Sequence, residues 1–256
     1  MKKLFLILTI FVPCLAFAQE ESTEGMDQLL QTRKWLYDLK AGVNIGGTSP
    51  LPIPEEIREI ISFDPSLQLS IGLGANYWIN DKIGLSSGFK LETKGMETKA
   101  KVKNYYMEIV TDDGGRTQGN FTGIDFTSVD QKLITVPILF KYQPSKRWDF
   151  NAGMFFSYLL NGKFSGYVED GYLREGDPTG TKVNFENGAR ATYSFGDQFN
   201  KFEYGAQIGF NVKVWKMLSV FGDLTWGFRD VFKKDFQTIA FGMYPIYFNF
   251  GLGYTI

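Results

Sequence analysis

The chain has no histidine and a single cysteine, and its 27 basic residues nearly balance its 28 acidic ones. Without histidine there is no Ser-His-Asp hydrolysis, no histidine-dependent protease, phospholipase or acyl-modifying chemistry, and no histidine-ligated metal. With neither sign of charge in excess, no field points to nucleic acid. No Gly-rich phosphate loop follows a strand and opens a helix. Past the first residues there is no run of roughly 18 apolar residues, so no transmembrane helix is expected. The one cysteine, Cys14, lies within an export-like leader, so the rest of the chain has neither a thiolate ligand nor a disulfide.

That leader has Lys2 and Lys3, an apolar stretch from Leu4 to Leu15, and the small-x-small site Ala16-Phe17-Ala18. It reads as a signal peptide over 1–18, too short for a membrane anchor. Pro13 directly before Cys14 argues against a lipoprotein site. A polar, acidic periplasmic segment over 19–35 is expected to follow.

From there to the end, a chain that in its 256 residues is rich in Phe (24) and Gly (28) alternates rather than runs. Eight period-two segments recur. Their large apolar faces begin at Tyr37, Leu67, Ile83, Ile134, Phe150, Phe202, Leu218 and Ile246. Three links are short, at Asn80-Asp81, Gln143 to Arg147 and Trp215-Lys216. The links between are long. Even strand number, strands of about 9–11 residues and alternating link length predict an all-β fold over 36–256. It is a transmembrane antiparallel up-and-down β-barrel of eight strands, with short periplasmic turns and long extracellular loops.

A soluble eight-stranded barrel would carry charge outside and apolar residues inside. Here the face opposite the apolar one holds Gly42, Gly72, Gly74, Gly84, Gly88, Gly153, Gly205, Gly209, Gly227, Gly251 and Gly253, residues that weaken a solvated strand but make room in a narrow interior. The same face carries Asp38, Lys40, Lys90, Glu92, Lys141, Glu203, Asp223 and Arg229. A lysine or arginine facing lipid at mid-bilayer costs about 2–4 kcal/mol, whereas inside the lumen opposite charges pair. Trp35, Trp78, Trp148 and Trp215 fall at the strand ends beside the short turns and predict a periplasmic aromatic girdle. The C-terminal strand is expected to close against the first. Pro137, inside LITVPILFKY, predicts a bulge or a gap in the ladder.

The leader ending AFAQ, the strand LITVPILFKY, FEYGAQIGFNV, LTWGFRDVF and the terminal FNFGLGYTI together resemble the outer-membrane β-barrel proteins of Bacteroidetes-type bacteria (PorT-like, "porin family"). The resemblance implies an eight-stranded barrel in the outer membrane of a Gram-negative bacterium. One branch of that family serves a protein-secretion and gliding apparatus; most members have no assigned activity. The last strand also resembles the signal read by the barrel-assembly machinery, with Ile256 in place of the usual terminal aromatic.

In the long links, Thr93 to Phe126 predicts an extended hairpin with Asp112-Asp113-Gly114-Gly115 at its tip. Pro52 to Ile61 predicts a short helix, started by Pro54, that caps the mouth or lies on the membrane surface. Glu169, Asp170, Glu175 and Asp177 have the oxygens for a hard cation but fit no known loop and read as a solvated acidic stretch. No cofactor is expected. The expected partners are outer-membrane lipids, the assembly machinery during insertion and an envelope protein, with no nucleic acid. The function expected is a non-catalytic barrel acting through its loops or within an envelope complex. Its rivals are a small-solute channel and, more remotely, an enzyme working without histidine.

Overall fold

The computed structural model describes residues 34–110, 116–185, 188–234, 236 and 241–256. The expected signal peptide with Cys14, the leader up to Arg33 and the Asp112–Gly115 tip lie outside the described residues.

The alternation becomes one antiparallel sheet of eleven strands. They are β1 (Trp35–Pro50), β2 (Ile57–Asp64), β3 (Gln68–Trp78), β4 (Ile83–Val110), β5 (Arg116–Tyr142), β6 (Trp148–Glu175), β7 (Lys182–Phe185), β8 (Ala191–Ser194), β9 (Phe202–Lys213), β10 (Leu218–Gly227) and β11 (Met243–Thr255). The ladder runs β1–β3–β4–β5–β6–β9–β10–β11 and returns to β1, so eight strands pair in a closed ring. Each of the eight period-two segments lies in one of these strands. At the closing seam Gly42 stands opposite Gly251. A Cβ on Gly251 would meet the backbone of Ala41 and Gly42, so the seam needs glycine there.

The three short links sit at one end of the ring with Trp35 and the C-terminus, where Ile256 N–H donates to Tyr37 O at 2.7 Å. At the opposite end β4, β5 and β6, of 28, 27 and 28 residues, run well past their neighbours. The short strands β2, β7 and β8 pair onto these overhangs.

The Pro52–Ile61 helix expectation is corrected: Ile57–Asp64 is strand β2, hydrogen-bonded to Glu97–Val102 of β4. The overhanging edge of β4 presents unpaired backbone groups that need partners, and IREIISFD is β-branched enough to supply them. Pro54 starts a turn instead, its carbonyl accepting from Ile57 N–H at 3.1 Å. At Pro137 the β4–β5 ladder skips from Ser87↔Ile138 to Lys90↔Thr135 without changing register. Ser87 Oγ donates to the Pro137 carbonyl at 2.9 Å across that gap.

Polarity inverts along the strands. Over the ring, the outward residues are Leu73, Phe89, Ile138, Phe156, Ile208 and Phe250, all exposed, while Asn44, Glu92, Lys94, Thr135, Asp223 and Asn249 are buried inside. On the overhangs the pattern reverses. Met96, Ala100, Val102, Val129, Phe164, Val168, Tyr193 and Phe232 form a buried apolar core, and Glu97 and Lys101 face out. The switch in β6 needs a bulge: Leu133 pairs Leu159, but Lys132 pairs Asn161. Leu160 is the extra residue, and it turns Phe164 and Val168 inward.

Candidate functional site

The ring interior is built by the i, i+2 spacing of charged residues on successive strands, which sends them to one face. Nearer the overhangs, Lys90 Nζ lies 2.8 Å from Glu92 Oε2. Lys94 Nζ lies 3.7 Å from Glu92 Oε1 and 3.3 Å from Glu203 Oε1. Glu92 also accepts from Thr135 Oγ1 at 2.7 Å and Asn44 Nδ2 at 3.3 Å. The Lys94 ammonium sits 5.2 Å from the Phe155 ring centre and 5.4 Å from that of Tyr247.

Nearer the short turns a second cluster forms. Lys40 Nζ is 3.9 Å from Asp223 Oδ2 and 4.0 Å from Asp38 Oδ2, and 4.8 Å over Phe221. Lys141 Nζ is 3.0 Å from Asp149 Oδ1 and donates to Asn76 Oδ1 at 3.3 Å. Asn76, Asn151 and Asn211 donate to Asp38, Asp223 and Asp149 at 2.7, 3.2 and 3.0 Å.

Seven of the eight charges singled out in the sequence therefore meet in these two clusters. Arg229 does not: it lies past the end of β10 and donates to Phe202 O and Asn200 Oδ1 at the mouth. Two members had escaped notice, Lys94 and Asp149. Lys94 continues the Lys90, Glu92 spacing, and Asp149 shares its face with Asn151, so strand parity alone would have found both.

The tryptophans divide as well. Trp35, Trp148 and Trp215 are exposed, Trp215 most at 69%. Trp148 stacks on Phe150 at 6.0 Å. Trp78 faces inward, with Lys141 Nζ 5.5 Å over its ring, because it has the parity of the buried Asn76 rather than of the outward Tyr77. It is corrected from girdle to interior.

Between the charged interior and the apolar core above, the cavity beside Gln131, Leu133, Glu203 and Arg229 is about 10 Å³, the size of a single water. Phe199 and Phe232 stack at 5.4 Å beyond it.

In the overhang core Asp125 is buried, with no cation paired to it among the described residues. It accepts from Tyr193 Oη at 2.9 Å and Thr127 Oγ1 at 3.2 Å. Burial raises its carboxyl to about 6, against those two hydrogen bonds, which lower it. Burial also raises the phenols of Tyr105 and Tyr193. The acidic stretch does not converge on one point. Glu169 binds Lys99 and Arg190, each at 2.8 Å, and its carboxyl is held below the usual range, chiefly by the hydrogen bond from Lys99. Asp177 accepts instead from Thr179 N–H at 2.7 Å.

An antiparallel sheet closed on itself, apolar outside and charged inside, is the reverse of a soluble protein and defines a protein solvated by lipid. A family model described as outer membrane protein beta-barrel domain matches residues 17–233; the chain belongs to that family and is an outer-membrane protein. Among solved structures it is similar to the attachment invasion locus protein Ail of Yersinia pestis, at 8% identity over 88% of this chain and 100% of that one, with a TM-score of 0.38. It is also similar to the outer membrane protein OprG of Pseudomonas aeruginosa, at 11% identity over 86% and 95%, with a TM-score of 0.34. The outer membrane protease OmpT of Escherichia coli matches at 11% identity over 87% and 96%, with a TM-score of 0.29. No curated protein matches the sequence.

Proposed function

We propose that the chain is a non-catalytic, eight-stranded transmembrane β-barrel of the PorT-like, Bacteroidetes type, acting through its extracellular face or as one component of an envelope complex. A signal peptide over 1–18 and a periplasmic segment over 19–35 precede a barrel over 36–256, with the short turns in the periplasm. The outer-leaflet and inner-leaflet lipids are its solvent, and the barrel-assembly machinery inserts it.

The observation that carries this reading is where order is invested. The interior is occupied by paired charges, with Lys94 at the centre of one cluster, and the long-loop mouth is closed by the aromatic core around Phe164 and Phe232. Neither arrangement suits a solute path. Meanwhile β4, β5 and β6 extend outward as a folded cap, the part of such proteins in which function concentrates.

The test is extraction of the tagged protein from its own envelope in mild detergent, followed by native mass measurement and planar-bilayer recording. A stoichiometric protein partner supports the complex. A bare, non-conducting monomer supports a stand-alone surface protein. Steady solute conductance by the purified monomer overturns the reading in favour of a channel.

A further inference from the structure

On the outside of the cap, β4, β5, β6 and β8 present a groove of about 440 Å³. Two cross-strand rows floor it. Phe126 pairs Tyr167, which pairs Thr192; Ser128 pairs Ser165, which pairs Ser194. The Phe126 and Tyr167 rings stack at 4.9 Å and 19°. Arg190 lies 4.4 Å over Tyr167 and is held there by Glu169, at 2.9 Å through Nε and 2.8 Å through a terminal nitrogen. Lys99 binds the other oxygen of the same carboxylate at 2.8 Å. Thr192 and Ser194 are exposed and the two inner serines half-buried, so the hydroxyls open into the groove.

An ordinary cross-strand aromatic pair explains Phe126 and Tyr167 alone. It does not explain a concave site that joins the pair to a row of hydroxyls, with a guanidinium fixed over Tyr167 beside it. That combination matches a sugar ring: the aromatic pair packs against its C–H face, the hydroxyls bond its hydroxyls, and the cations take an anionic substituent.

Height selects the source. Along β5 the outward residues run Ile138 and Ile134, then Lys132 and Asp130, then Ser128 and Phe126. At about 3.3 Å per residue and a tilt near 40°, Phe126 stands about 20 Å above the last apolar row. A charged belt separates the two. That is the layer occupied by the sugars of outer-leaflet glycolipid, and a lipid already in the leaflet reaches the groove by lateral diffusion.

We propose that this groove binds the anionic sugar region of a glycolipid in the surrounding leaflet. The inference rests on the orientation proposed above, so two readouts are needed. Thr181→Cys in a Cys14→Ser background, labelled on intact cells by a membrane-impermeant maleimide, reports orientation: no labelling defeats the orientation itself. Native mass spectrometry with purified lipopolysaccharide then reports binding. One lipopolysaccharide retained by the parent and by Tyr167→Phe, with at least tenfold less on Tyr167→Ser and Ser165→Trp, supports the groove. Heat-modifiable migration on gels establishes that each variant is folded. Equal retention by folded Tyr167→Ser and Ser165→Trp overturns the proposal, as does equal retention of lipid A lacking core sugars. Competition by an equimolar amount of free core oligosaccharide overturns the lipid source.

Discussion

Lys94 Nζ lies 3.3 Å from Glu203 Oε1 although the two residues are 109 positions apart, and the Lys94 side chain is only 1% exposed. β4 and β9 lie on different sides of the ring, so this contact crosses the interior and ties the walls together. Removing one partner of a buried ion pair leaves an unpaired charge and costs about 3–5 kcal/mol. Lys94→Met strands Glu203, while Glu92 keeps Lys90. It is expected to lower the temperature at which the folded form is lost on semi-native gels. Lys94→Met with Glu203→Gln removes both charges and should recover most of that loss. A double variant as weak as the single one would show that packing, not charge, is what Lys94 supplies.

Asp125 makes the cap sensitive to pH in a defined direction. Its folded-state value of about 6 exceeds the unfolded value near 3.9, so the folded cap binds the proton more tightly. The stabilising contribution is present below about pH 4, is lost as pH rises toward 6, and is flat above that. The amplitude is at most about 3 kcal/mol. The titratable groups facing it, Tyr193 and Tyr105, stay neutral throughout this window because burial raises both. Hydrogen exchange in β8 is therefore expected to be slower at pH 5 than at pH 7.5 after correction for intrinsic rates. Asp125→Asn should abolish the difference and be protected at both pH values. A slope that survives the substitution would place the sensitivity elsewhere.

Strand parity carried the sequence reading far, and it failed where the geometry stops being local. All eight period-two segments sit in ring strands because a lipid-facing wall demands uninterrupted alternation. Leu160 keeps the apolar period, and the Asn161-Gly162 pair after it reads as the start of a loop rather than as a bulge in a continuing strand, so the inward turn of Phe164 and Val168 was not legible. β2 was missed because its reason to be a strand is the edge of β4, about 40 residues further on, and not its own pattern. Trp78 and Arg229 were misplaced for a simpler cause. The first was assigned by level and the second by parity, and each needed both.

The orientation of Trp78 is testable without a new structure. In variants that keep one tryptophan, reconstituted in lipids with brominated acyl chains near the headgroup, Trp148 and Trp215 are expected to be strongly quenched. Trp78, beneath the Lys141 ammonium, should be quenched several-fold less. Equal quenching of Trp78 would restore it to the girdle.

Ring closure depends on the seam at Gly42 and Gly251. Any side chain on Gly251 runs into the Ala41 carbonyl and the Gly42 backbone across the β1–β11 ladder, and backbone has no rotamer by which to move aside. Gly251→Val should therefore prevent the last strand from zipping onto the first and leave a protein without a heat-modifiable folded form. Gly72→Ala is the matched control. It lies on the same inner face, but its new methyl meets the Phe89 carbonyl at 3.3 Å and the flexible Lys90 side chain at 3.5 Å, so the crowding is a matter of a few tenths of an ångström rather than a direct collision with backbone. If Gly251→Val folds as well as Gly72→Ala, the seam between first and last strands is looser than the register from Asp38↔Thr255 to Pro50↔Met243 requires, and closure must be held by the interior ion pairs instead.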